Sequence, residues 1–325
     1  MSDGSRPLIS VVVPIKDEID TLPELTRRLA DVLVGELSDA EIVFVDDGSS
    51  DGSARWIADR HAHDPRIRLV RLSRNFGHQA AVTAGLGHAS GRAVVLMDGD
   101  LQDPPELIPA LVAKWREGNE IVHTVKIRRK ESWPRRIAFR GFYRMIRVLS
   151  SETDLPLQAG VFSLLDRRVV QELGRMPERN RYLAGLRAWV GFRQAAVEYE
   201  RDARWSGDPR VSVARLFHLA FDGIFSFSNL PLRLATLLGL VVSLAAFVLV
   251  VAIVYLRLFT DRSVLGWASL MSSTLFLGGV ILVTIGIIGE YVGRIYDEVK
   301  RRPLYIVAER IGLTEDSSED VDRRL

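Results

Sequence analysis

The sequence predicts an α/β domain built on a mostly parallel sheet, followed by two membrane-spanning helices. Two observations carry this reading. Residues 8–125 alternate short β-branched runs with amphipathic stretches, the strand–helix order of a parallel sheet covered on both faces. Further along, Leu234–Leu256 is 23 residues without a charge and Ser263–Gly289 is 27. A hydrocarbon core takes about 20 helical residues to cross, so each run is long enough.

Taken in order, the expected strands are Leu8–Ile15, Glu41–Asp46, Ile67–Leu72, Ala93–Asp98 and Glu120–Val125. Helical patterns fill the intervals at Thr21–Leu37, Ser53–His61, His78–Ala89 and Pro105–Glu117. Thr21 and Glu24 have the spacing of a capping box opening the first helix. In sheets of this kind ligands bind beyond the carboxyl ends of the strands. The acidic clusters fall there: Lys16-Asp17-Glu18, Asp46-Asp47 and Asp98-Gly99-Asp100. His61 and His63 end a helix beside Asp64-Pro65 with no further ligand nearby in sequence, and read as solvated.

Charge is unevenly distributed. The 325 residues carry 43 Lys and Arg against 41 Asp and Glu, a net of +2. Residues 126–147 hold nine Lys or Arg and only Glu131 in opposition, a local +8 that leaves the remainder at −6. Trp133, Ile137, Phe139, Phe142, Tyr143 and Ile146 are interleaved with these cations, as in a helix lying on anionic lipid. With two spans holding this surface near lipid, no nucleic-acid partner is expected. Residues 210–229 form a second amphipathic stretch, and 312–325 an acidic, polar tail. There is no cysteine, which excludes disulfides, thiolate metal sites and a cysteine nucleophile.

The expected organisation is a domain over 1–229, with a basic interface segment at 126–149 and a juxtamembrane segment at 210–229. A two-helix membrane unit follows over 230–292, then a C-terminal segment over 293–325. Arg210, Arg215 and Arg233 precede the first span, and Arg294, Lys300, Arg301 and Arg302 follow the second. The connecting loop has only Arg257 and Arg262 beside Asp261. The positive-inside rule therefore puts the soluble domain and both termini in the cytoplasm, on a cytoplasmic (inner) membrane. The MSDGSRPLIS terminus has no apolar signal stretch.

Asp98, Asp100 and Gln102 follow a strand as two carboxylates and an amide oxygen, a donor set for a hard cation such as Mg²⁺ or Mn²⁺. Such an ion neutralises a diphosphate leaving group. Asp46 opens DDGSSD, where Asp and Ser can accept hydrogen bonds from a base or ribose, or simply make a polar turn.

ISVVVPIKDE, VDDGSSDGS, LSRNFGHQAAVTAGLGHASG and LMDGDLQDPPELI resemble the family 2 glycosyltransferases of GT-A (Rossmann-like) fold. With two C-terminal spans the chain is similar to their polyprenyl-phosphate group, the bactoprenol glucosyltransferases and dolichol-phosphate mannosyltransferases. The resemblance implies transfer of a hexose from a nucleotide sugar, UDP-glucose foremost, to polyprenyl (undecaprenyl) phosphate, for cell-envelope polymers. It implies Pro14, Asp17 and Glu18 lining the nucleotide pocket, Asp46 on base and ribose, and Asp98, Asp100 and Gln102 on metal and diphosphate. Arg128 and Arg140 would receive the lipid phosphate, and Arg204 and Arg210 would close over the donor. A homo-oligomer is also expected.

The chain departs from the family pattern at several places. Asp17-Glu18 replaces Asn-Glu, and Gly207-Asp208-Pro209-Arg210 replaces Gly-Glu-Ser-Lys. Gly160-Val161-Phe162-Ser163 replaces Gly-Asp-Phe-Arg, which removes a carboxylate that could act as a base. Gly99 stands where Ala is frequent, with little effect expected. Two other readings stand beside this one: a non-catalytic nucleotide-sugar-binding membrane module, supported only by the Val161 and Ser163 departures, and a polysaccharide-extending synthase. The synthase reading lacks its Q-x-x-R-W motif, because Arg201 stands where the Gln belongs ahead of Arg204-Trp205.

Overall fold

Ile9–Ile15 (β1) is buried along its whole length, because helices cover the sheet on both sides. Leu22–Val32 (α1) follows, then a 3₁₀ turn at Gly35–Leu37, Ala40–Asp46 (β2), Ser53–His61 (α2), Ile67–Leu72 (β3), His78–His88 (α3) and Ala93–Leu96 (β4). A 3₁₀ turn at Pro105–Leu107 leads into Ile108–Arg116 (α4) and Ile121–Lys126 (β5). After these come Ala159–Asp166 (β6), Arg167–Arg175 (α5), Leu183–Trp189 (α6) and Gln194–Tyr199 (β7). Two long helices, Leu230–Phe259 (α7) and Trp267–Val299 (α8), precede Val307–Ile311 (β8). These elements belong to a computed structural model that describes residues 7–126, 159–176, 178–179, 181, 183–199, 230–259 and 266–313.

The described strands make one eight-stranded sheet of order β7-β5-β6-β4-β1-β2-β3-β8. The expected parallel core is present: β1 pairs β2 and β4, and β2 pairs β3, all parallel. The flanks are mixed. β6 runs antiparallel between β4 and β5, β7 lies parallel to β5, and β8 lies antiparallel on β3. Contacts divide the described residues into two units, one bearing the sheet and including residues 302–313, the other holding the two long helices. The strand β8 is thus part of the sheet-bearing unit, although it follows both long helices in sequence.

In the helical unit α7 and α8 contain apolar stretches of 21 residues (Ala235–Tyr255) and 31 residues (Ser269–Val299), each long enough to cross a membrane. Leu244, Phe247, Leu282 and other large side chains are exposed along them, as lipid-facing surface requires.

Two early expectations give way to tertiary demand. Thr21 stands at the N-cap of α1 but makes no side-chain cap bond. Its hydroxyl lies 3.0 Å from the carbonyls of Glu18 and Gly99, while Glu24 is paired with Arg27 at 2.7 Å. The capping box is therefore not formed, because the loop after β4 takes up the threonine. Nor is His61 a solvated histidine: its Nδ1 lies 2.6 Å from the Ile67 carbonyl.

Helix–sheet spacing is set at Gly85 in α3. A Cβ there would stand 2.2 Å from Val12 Cγ1 and 3.0 Å from Val45 Cγ2, so α3 lies directly on β1 and β2. Gly85→Ala improves helix propensity but forces overpacking, which costs about 1–3 kcal/mol. A lowered thermal midpoint of the variant checks this. A second prediction concerns Glu106, whose carboxylate accepts from Arg28 Nε at 2.8 Å and Nη2 at 2.5 Å. That bonding holds Glu106 below its ordinary value of 4.5. The associated stability is present above the ordinary value and lost as pH falls through the depressed one. Glu106→Gln should flatten that part of the acid limb in a pH series of thermal melts.

Candidate active site

The adjacent strands β4, β1 and β2 release three acidic loops at one edge of the sheet. After β1, Asp17 takes a left-handed φ of +53°, a conformation that costs a non-glycine residue energy. The turn is held from the next loop. Asp17 Oδ1 accepts from the Ser50 amide at 2.7 Å and its hydroxyl at 3.2 Å, and the Asp17 amide donates to Ser49 Oγ at 2.9 Å. Bonding from the Ser50 amide keeps the Asp17 carboxyl below the usual range. Two residues on, the Ile19 amide donates to Asp51 Oδ2 at 3.0 Å, and Asp51 Oδ1 in turn accepts from the Ser53 amide. Asp17 thus supports the loop after β2 through its own carboxylate.

Within that loop the two aspartates do different work. Asp46 is fully buried; its Oδ1 accepts from the Ser49 amide at 2.9 Å, while its Oδ2 makes no hydrogen bond. Asp47 accepts from the Phe76 amide at 2.7 Å through Oδ1 and from the Gly77 amide at 2.9 Å through Oδ2. Burial pushes the Asp47 carboxyl up, against the pull of these two amides. Between the loops Gly48 has φ +71°, and a Cβ there would sit 2.7 Å from the Asn75 amide nitrogen. Only glycine lets the two backbones pass.

Beyond β4, Asp98 and Asp100 flank Gly99. His78, the first residue of α3, brings its Nε2 to 3.7 Å from Asp98 Oδ1. Asp100 Oδ1 accepts from the Gln102 amide at 3.1 Å. Leu101, buried between them, has φ +58°, a second strained residue in the acidic loops. The buried Asp103 accepts from the Tyr199 hydroxyl, which ties this loop to β7. A Cβ at Gly99 would press to 2.9 Å from Ile15 Cγ2, so alanine there is less innocuous than expected.

Among the described residues no three His, Asp or Glu side chains gather as a self-sufficient metal site. The pair Asp98 and Asp100 fits a different design, in which a hard cation takes two carboxylates from the protein and its other ligands from water and phosphate.

The β6 motif position Ser163 is registered with Leu96 of β4 and His123 of β5. There the buried Arg187 of α6 donates from Nη1 to Ser163 Oγ at 2.5 Å, and Ser163 Oγ donates to the Val161 carbonyl at 2.8 Å. A guanidinium therefore reaches position 163 from another element. His123 beside it has a buried Nδ1 without a hydrogen bond, and its pKa is lowered by burial and then by Arg187.

Pro14, Asp17, Glu18, Asp46, Asp98, Asp100 and Gln102 thus belong to one edge of the sheet, Pro14 being registered with Val45 of β2. Arg128, Arg140, Arg204 and Arg210, with most of the basic and juxtamembrane segments, lie outside the described residues. Sequence reasoning missed Arg187, whose partner Ser163 lies 24 positions away, and gave Thr21 and Asp47 no part in bracing the loops, although Asp47 was visible as a second acid after a strand.

Residues 10–174 match the Glycosyl transferase family 2 and residues 230–295 the GtrB C-terminal hairpin. An uncharacterized glycosyltransferase, YkcC of Bacillus subtilis, is 43% identical over 305 residues, 94% of each chain. The prophage bactoprenol glucosyl transferase homolog of Escherichia coli is 38% identical, over 92% of this chain and 98% of its own. Among solved structures, the mannosyltransferase PcManGT from Pyrobaculum calidifontis, in complex with GDP-Man and Mn²⁺, matches 90% of this chain and 88% of its own at 19% identity and a TM-score of 0.45. By its match to the family model and to these relatives in sequence, the chain belongs to glycosyl transferase family 2, with a hairpin of the GtrB type appended to its catalytic domain.

Proposed function

We propose that the protein transfers a hexose from a nucleotide-diphosphate sugar, UDP-glucose foremost, to a polyprenyl monophosphate such as undecaprenyl phosphate at the cytoplasmic membrane face. The observation that carries this is the convergence of three acidic loops at the carboxyl ends of β2, β1 and β4, with the buried Asp46 Oδ2 left unsatisfied. An orphaned buried acceptor costs free energy until a donor arrives, and a base N–H or ribose hydroxyl supplies one. The relatives named bactoprenol glucosyl transferases support the lipid acceptor and the glucosyl group.

In this reading Asp46 receives the nucleoside, Pro14 and Glu18 line its pocket, and Asp17 holds the pocket's wall. Asp98, Asp100 and Gln102 would hold Mg²⁺ or Mn²⁺, which when bound supplies charge neutralisation for the departing diphosphate. The lipid phosphate acts as nucleophile at the anomeric carbon, with inversion. Its second pKa is about 6, so much of it is dianionic at pH 7 and needs no proton removed. Val161 in place of a carboxylate is therefore compatible with transfer. Arg128 and Arg140 are assigned to the lipid phosphate and Arg204 and Arg210 to the donor diphosphate, on the family resemblance of their positions and on their charge. A homo-oligomer formed through the apolar helices is part of the same proposal.

For membrane topology, β7 and β8 are strands of one sheet, so the chain between them crosses the membrane an even number of times. Two spans with cytoplasmic ends meet that condition.

Membranes containing the protein should transfer radiolabelled sugar from one donor of a UDP- and GDP-sugar panel to undecaprenyl phosphate, and EDTA should abolish it. Asp100→Ala should lower transfer by about 10²–10³-fold, as when a preorganised electrostatic group is removed; unchanged activity would sink the metal assignment. The chain contains no cysteine, so single replacements report topology without background. Thr260→Cys, between the two apolar runs, should react with an impermeant thiol reagent on intact cells. Ser317→Cys should react only after permeabilisation, and the reverse pattern would overturn the orientation.

A further inference from the structure

One rung of the sheet places three charged residues side by side. Asp46 of β2 is registered with Arg71 of β3, and Arg71 with Glu309 of β8. Arg71 Nε lies 3.5 Å from Asp46 Oδ2, and Arg71 Nη1 lies 3.7 Å from Glu309 Oε2. The rung sits at the carboxyl end of β2, where the acidic loops leave the sheet. Immediately after Arg71 the pairing with β8 shifts register, the kind of irregularity that re-aims side chains.

At 3.5 Å the guanidinium attracts the buried carboxylate without donating a hydrogen bond to it, and Oδ2 keeps its accepting capacity unused. Arg71 is half-exposed, and an unrestrained arginine side chain samples many rotamers. Glu309 on its other side restricts it. The strand carrying Glu309 is held independently: the Ser73 amide donates to the Ile306 carbonyl at 2.8 Å, and Arg310 Nε lies 3.2 Å from His88 Nε2.

We infer that Arg71 is a positioning residue for nucleotide binding, aiming Asp46 Oδ2 at the nucleoside, and that Glu309 on the C-terminal strand holds Arg71 in place. This rests on the assignment of Asp46 to the nucleoside. It makes donor affinity dependent on a strand that follows the membrane hairpin.

The test uses the full chain in detergent, with UDP and GDP as probes by calorimetry and donor KM and kcat by transfer. Arg71→Met should raise the nucleotide Kd and the donor KM about tenfold, equivalent to about 1.4 kcal/mol, with a smaller change in kcat. Arg71→Lys should fall between, since a point charge replaces the fork. Glu309→Gln should raise Kd about twofold, in keeping with an exposed pair. The swap Arg71→Glu with Glu309→Arg keeps the outer pair but sets a carboxylate against Asp46, so it should bind more weakly than Arg71→Met. Thermal midpoints accompany each variant, and a loss of affinity at an unchanged midpoint excludes unfolding as its cause.

If Asp46→Asn weakens nucleotide binding and Arg71→Met does not, the proposal fails while the nucleoside assignment stands. If neither weakens binding, both fail. Wild-type affinity in the swapped variant would also overturn it, because the rung would then serve only to hold the strand.

Discussion

The carboxylate of Asp47 ends two backbone amides, from Phe76 and Gly77, in a place largely shut off from water. Much of the site geometry depends on that interaction. It fixes the turn ahead of α3, and α3 then presents His78 towards Asp98 from its first residue. It also brings the chain at Asn75 so close to residue 48 that only glycine fits. Burial raises the pKa of Asp47 and the two amides oppose that rise, so the interaction holds a buried charge by matching it with directed donors.

The same economy runs through the neighbouring loops. Asp17 is braced by Ser49 and Ser50, and Asp51 by Ser53 and the amide of Ile19. The Thr21 hydroxyl links the loop after β1 to the one after β4. Small hydroxyls and amides of one loop thus satisfy the carboxylates of the next, and the strained backbone at Asp17 and Leu101 is held by surroundings that over-determine it. The acidic cluster is consequently not a set of interchangeable charges. Some carboxylates are structural, and Asp46 Oδ2 stands out because its hydrogen bond is missing.

The parallel core was legible because β1, β2 and β4 are largely apolar runs with acids at or just beyond their carboxyl ends, and runs buried on both faces read that way in sequence. Element ends were less so: the helix expected over Thr21–Leu37 stops at Val32 and resumes as a 3₁₀ turn. The capping box at Thr21 failed because a residue 78 positions away competes for the same hydroxyl, and local spacing holds no trace of that. β8 was hidden for another reason. Val307–Ile311 is five residues in which the consecutive Glu309 and Arg310 break any apolar–polar alternation, so the strand pattern is absent from the sequence. In the site, the acids announced themselves by position, whereas Arg71 and Arg187 take their roles from register and burial.

The order of synthesis gives β8 a further significance. In sequence it follows both apolar helices, yet it covers the outer edge of β3, whose backbone groups otherwise remain available for pairing. During translation the parallel half of the sheet is therefore made early and sealed last. Until residue 311 has left the ribosome, β3 is an open edge able to pair with another nascent chain. The sheet's closure is a record that the hairpin has already been made, and maturation of the soluble domain is tied to the end of membrane-segment synthesis by chain order alone.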